Sequence, residues 1–120
     1  MALLPACSDD SPVPAVEDCL YHYCIARLDL PVGDLCAQLI HAAGESSPGS
    51  LPPETRAVAL GARSEFDLLK LEQKLKKKNI PHVAIREPDA PWNGQLMAIG
   101  IAPCHRSLVK KEVSNFPLIK

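Results

Sequence analysis

The sequence predicts an α/β fold: a mixed, largely parallel sheet with helices on both faces. Three observations carry this. Short apolar runs alternate with amphipathic stretches in the order β-α-β-α-β-β-α. The first apolar run is hydrophobic on both sides, as suits a strand covered on two faces. Capping and breaking residues punctuate the amphipathic stretches.

The first 17 residues hold Pro5, Pro12, Pro14, Ser8, Ser11, Asp9 and Asp10, a disordered-tail composition, so one domain is expected over 18–120. The first strand is expected over 20–28, with Tyr21, Tyr23 and Ile25 on one face and His22, Cys24 and Ala26 on the other. Pro31 and Gly33 break it. A helix follows over 34–43, and Gly44 can end it in the left-handed conformation. Ser, Pro and Gly make 46–53 a loop, and 57–60 is a short buried strand. Ser64 with Asp67 resembles a capping box, opening a helix whose stripe is Leu68, Leu71 and Leu75. Asn79 can cap its end and Pro81 forbids continuation. Strands over 82–86 and 96–101 flank a loop carrying Asp89 and Trp92. Pro103 ends the fourth strand, a last helix covers 107–115, and Phe116, Leu118 and Ile119 pack the terminus back on the body.

Composition narrows the function. The chain has 120 residues, 47% of them apolar, and a net charge of −1. Any nucleic-acid site must therefore be a local patch. The five cysteines are odd in number and form no CxxC pair, which points to free thiols in a reducing compartment and argues against structural zinc. Neither a membrane-spanning run, which takes ~18 apolar residues, nor a basic signal-peptide start is present, so a cytoplasmic protein is expected.

Chemistry concentrates where the first strand meets its helix. In open α/β sheets, ligands gather at the C-terminal ends of strands. Arg27 and Asp29 lie there, either at such a site or as a local ion pair. On the helix, Asp34, Gln38 and His41 share a narrow arc opposite Leu35, Leu39 and Ala42. Asp34 also suits the first helical turn simply as an acid. His41 is either a cleft residue or a histidine satisfied locally. Asp89 is a turn residue or an acid near the same cleft, and Trp92 caps the sheet edge or stacks a base. Lys74, Lys76, Lys77 and Lys78 read as a solvated helix end.

Arg27-x-Asp29-Leu30 followed by Ala37-Gln38-x-x-His41-Ala42 resembles the signature of the archaeal/eukaryotic-type peptidyl-tRNA hydrolases. Asp89-Ala90 and Gly100-Ile101-Ala102-Pro103 extend the resemblance, which covers about 21–120. Lys77-Lys78-Asn79-Ile80-Pro81-His82 is similar to the eukaryotic branch called peptidyl-tRNA hydrolase domain-containing proteins. The resemblance implies a three-layer α/β/α fold with a mixed four-stranded sheet. It implies hydrolysis of the ester joining a peptide to the terminal ribose of tRNA, with no metal and no cofactor. Gln38 and Asp89 would position and deprotonate water, with His41 in the same motif. Arg27, Asp29, Arg63 and Arg86 would lie at the tRNA-binding edge. The implied partner is tRNA or peptidyl-tRNA, with no membrane and a possible homodimer.

The chain departs from that pattern at named positions. Asp34, Gly61 and Met97 stand where the family usually has lysine, lysine and threonine, and Pro91 replaces a glycine. The alternative reading is therefore a catalytically impaired module of the same fold that binds tRNA or a protein partner.

Overall fold

The computed structural model describes residues 19–120. The expected tail over 1–17 lies outside the described residues. The elements are β1 (Leu20–Arg27), α1 (Val32–Ser46), β2 (Arg56–Ala62), α2 (Glu65–Lys77), β3 (His82–Glu87), β4 (Gln95–Ile101), β5 (Cys104–His105) and α3 (Arg106–Val113). Four strands lie in the order β2-β1-β4-β3, and the two-residue β5, absent from the expected order, pairs with β1.

The sheet is mixed, as expected, but it is not largely parallel. Only β1 and β2 are parallel neighbours; β4 runs antiparallel to both β1 and β3. The reason is the short link over 88–94, which has no room for a crossover helix and must return as a hairpin. Three strands still point the same way. The C-terminal ends of β1, β2 and β3 and the start of β4 therefore share one edge.

The molecule has three layers. Tyr23, Ile25, Leu60, Leu96 and Ile99 form a core with Leu68, Leu71 and Leu75 of α2 and Val109 and Val113 of α3. On the opposite face Cys24, Ala26, Ile85, Met97 and Ala98 pack with Leu35 and Ala42 of α1. The alternation along β1 thus divides its side chains between two cores.

Helix ends follow local chemistry. Asn79 takes φ 56° after α2. The Ile80 N–H donates to Leu75 O (3.0 Å) and the Asn79 N–H to Lys76 O (3.1 Å), a Schellman closure that buries Ile80. Ser64 occupies the N-cap position but makes no side-chain cap bond. Asp67 instead accepts from the Arg63 backbone N–H and guanidinium, one residue further back than a capping box reaches. Gly44 does not terminate α1, which runs on to Ser46.

That extra turn is anchored. The Ser46 hydroxyl donates to Ala42 O at 2.7 Å and accepts from His22 Nε2 at 2.7 Å. Beneath it, Gly100 of β4 lies so close to α1 that a Cβ would collide with the Ala42 carbonyl oxygen and stand 2.5 Å from Ser46 Oγ. At the other sheet edge the C-terminal segment covers β2. The Gly61 N–H donates to Pro117 O (2.8 Å) and the Ile119 N–H to Ala59 O (3.1 Å).

Cys24, Cys36 and Cys104 are free, whereas Cys19 is disulfide-bonded, which corrects the expectation of free thiols throughout. An odd count excludes complete pairing, not a single bridge. Among the described residues no helix is long and apolar enough to cross a membrane.

Two outcomes follow from the α1 anchorage. Gly100→Ala should lower the unfolding free energy in urea by about 1–3 kcal/mol, because the methyl must push α1 off the sheet. Burial lowers the pKa of His22 from its ordinary 6.5, so the folded protein binds that proton less readily than the unfolded chain. The stabilisation is fully present above the unfolded value and is lost as the pH falls through the lower folded one. Tm should therefore drop as the pH falls below the ordinary histidine value of 6.5, and His22→Gln should flatten that drop.

Candidate functional site

The shared strand edge is where the site residues meet. Arg27 closes β1 and is only 5% exposed. Its Nε and Nη2 donate to the two Asp29 carboxylate oxygens at 2.9 and 2.8 Å. Nη1 donates to Gln95 Oε1 (2.8 Å) and Leu96 O (3.4 Å). The guanidinium carbon lies 5.0 Å from the centroid of the Trp92 ring. The hydrogen bond from Arg27 holds the Asp29 carboxyl below its ordinary range and raises the guanidinium pKa further. Arg27 thus has four of its five guanidinium N–H groups engaged. It ties the β1–α1 turn to the start of β4 and to the 88–94 loop.

Gln38 is 8% exposed, in the buried stripe of α1 with Leu35, Ala42 and Ser46. It does not share the solvent face with Asp34 and His41, which corrects the expected polar column. On the helical wheel Gln38 falls about 60° from Leu35, inside the broad face that a sheet-packed helix buries. Its Nε2 donates to Glu87 Oε1 at 3.5 Å, across from the end of β3. Its Oε1 is buried with no hydrogen-bond partner. Turning the amide around would set that oxygen against the Glu87 carboxylate, so the observed orientation is the favourable one. A buried acceptor left alone costs about 1–3 kcal/mol, and a water or a substrate donor removes that cost.

Glu87 escaped the sequence reading. Its other oxygen accepts the Asp89 backbone N–H at 3.3 Å. The carboxylate therefore links Gln38 to the loop that carries Asp89. An acid at the last position of a strand was the available signal, but such acids are common. Asp89 is itself exposed and opens a turn in which its carbonyl accepts the Trp92 and Asn93 N–H groups at 2.9 and 3.0 Å. Trp92 packs against the α1-side core, as a sheet-edge cap would.

The remaining candidates sit elsewhere. His41 is 62% exposed, with Nδ1 3.8 Å from Glu45 Oε2 on the outer face of α1. Arg63 pairs with Asp67 at 2.9 Å. Arg86 makes two bonds to Glu72, at 3.1 and 2.8 Å. That contact points towards α2, whereas its neighbour Glu87 meets α1. The hydrogen bonds from Arg63 and Arg86 lower the pKa values of Asp67 and Glu72 respectively.

No protein-family model matches the chain, and no curated protein matches it. The arrangement must be read on its own chemistry. Among the described residues no group of three or more His, Cys, Asp or Glu side chains is placed to hold a metal ion. The edge does offer a buried amide with a vacant acceptor, bonded to the Glu87 carboxylate, which in turn accepts the Asp89 backbone N–H. The space above Gly61 is filled. A Cβ there would stand 2.7 Å from the Leu28 side chain, so a lysine at 61 would have to displace Leu28. Met97 is buried in the α1-side core.

Arg27→Met should remove the shared anchor. The unfolding free energy should fall by about 1–3 kcal/mol in denaturant titrations, since three acceptors lose their donor. The emission of Trp92, the single tryptophan, should shift as the cation leaves its ring.

Proposed function

We propose that the chain is a divergent peptidyl-tRNA hydrolase that cleaves the ester between a peptide and the terminal ribose of tRNA, acting in the cytoplasm. The observation that supports this best is the buried Gln38 carbonyl oxygen, left without a partner on an amide that Glu87 links to the loop carrying Asp89. Ester hydrolysis needs a held water, a base and donors for the developing oxyanion. In this reading a water donates one hydrogen to Gln38 Oε1 and the other to the Asp89 carboxylate. Asp89 takes that proton as the water oxygen attacks the ester carbonyl. The proton then passes to the departing ribose hydroxyl as the ester C–O bond breaks. Glu87 acts by position, holding Gln38 Nε2 on one oxygen and the Asp89 backbone on the other. His41 has no direct part in this scheme.

A second reading is a binding module of the same fold that holds tRNA without cleaving it. One observation favours it. Arg27, Arg63 and Arg86 are each paired to a carboxylate, which blunts the positive charge that a developing oxyanion would need. Asp34 adds negative charge to the first turn of α1.

Hydrolysis of purified peptidyl-tRNA separates the two. The hydrolase reading expects turnover that Asp89→Asn lowers by about 10²–10⁴-fold, as loss of a general base does. Gln38→Ala should lower it as well, with the fold intact. Salt-sensitive tRNA binding with no turnover above buffer would instead support the binding module.

A further inference from the structure

We propose that the cavity between α2, α3 and the C-terminal segment binds a small organic phosphate: a phosphate monoester on a flat apolar body about the size of a mononucleotide. The cavity lies on the α2/α3 face, away from Gln38 and Glu87, and stands independently of the hydrolase reading. Its volume is about 310 Å³, within the range of small-ligand sites.

Charge is the first argument. Arg63, Lys70 and Lys74 line the cavity with Asp67 and Glu112. Both carboxylates are already engaged, Asp67 by Arg63 and Glu112 by Lys78. Among the described residues Lys70 and Lys74 form no ion pair: Asp67 and Glu112 attract them, but each of those carboxylates is bonded to another cation. The two lysines are one helical turn apart on the same face, where like charges repel. A dianionic phosphate between them converts that repulsion into attraction. A monoanionic carboxylate would balance only one of them.

The second argument is the wall. Leu71, Phe116 and Pro117 give the cavity an apolar side, and Asn115 adds a neutral amide. That wall is fixed in place. Pro117 O accepts the Gly61 N–H, and Ile119 bonds to Ala59 in the next step along β2. Lys70 Nζ lies 5.3 Å from the centroid of the Phe66 ring, a residue outside the lining. A phosphate bound here can therefore lay an aromatic or apolar body on Leu71 and Phe116, whereas inorganic phosphate gains only the lysines. The volume admits one such molecule and not a polymer chain.

Calorimetric titration of the full chain with adenosine 5′-monophosphate and with phenyl phosphate tests this. Binding of either is expected. Lys70→Gln and Lys74→Gln should each weaken it at least tenfold, added salt should weaken it further, and Lys76→Gln, on the side of α2 away from Lys74 and outside the lining, should leave it unchanged. Inorganic phosphate should bind at least tenfold more weakly than the esters. The proposal is overturned if neither ester binds, if the Lys70 and Lys74 variants bind as the parent does, or if inorganic phosphate binds as tightly as the esters.

Discussion

The close approach of α1 to β4 at Gly100 positions everything on that face of the sheet. The Ala42 carbonyl and the Ser46 hydroxyl occupy the space that any larger residue at 100 would need. With the helix seated there, Gln38 lies one turn earlier, about 5.4 Å along the axis. That turn places its amide opposite the end of β3 and within reach of Glu87. The His22–Ser46 bond pins the far end of the helix. A tilt of α1 would separate the one amide and the two carboxylates that make this edge chemically unusual. The glycine is thus a condition of the site, although it touches no site residue.

Arg27 plays the matching role for the loops. A buried guanidinium is tolerated when its charge and most of its N–H groups are answered. Asp29, Gln95, Leu96 and Trp92 do so. Asp29 lies in the β1–α1 turn beside the arginine, whereas Trp92, Gln95 and Leu96 lie together far along the chain. The arginine therefore sets the position of the 88–94 loop, and with it Asp89, relative to the strand ends. Four of its five guanidinium N–H groups go into this assembly.

Much of the fold was legible, and what was not follows from the physics of the signals. Alternation along Leu20–Arg27 reported two buried faces, and each face joined its own core. Asn79 and Pro81 marked the end of α2 because a left-handed residue and a missing N–H are local facts. Strand neighbours are not local. Apolar pattern reports burial and is silent on partners, so the antiparallel insertion of β4 was hidden; only the length of the 88–94 link hinted at it. Gly44 misled because an exposed glycine with open space around it is tolerated inside a helix when the next turn is anchored by Ser46. Gln38 was found, but on the wrong face, since a wheel position 60° from a core residue is buried only when a flat sheet lies beneath it. Glu87 was missed because its importance comes from a partner forty-nine positions away.

The charge around the strand edge bears on how fast such a site could work. Asp29, Asp34, Glu87 and Asp89 crowd it with carboxylates, and the nearby arginine charge is already spoken for. That balance suits the first half of ester hydrolysis, in which a carboxylate draws a proton from water. It opposes the second half, in which negative charge grows on the carbonyl oxygen. A base is worth about 10²–10⁴ in rate, and one lost oxyanion donor costs about 10²–10³. The two effects are of similar size. An enzyme that keeps the water-holding amide and the base while lacking the cation would retain part of its acceleration and forfeit the rest. The amide hydrogens of Gln38 are then the nearest donors for the oxyanion, and they already lean at a long 3.5 Å towards Glu87. If the hydrolase proposal holds, Glu87 takes one Nε2 hydrogen and leaves the other for the oxyanion, so the Gln38–Glu87 bond is the contact that orients that donor.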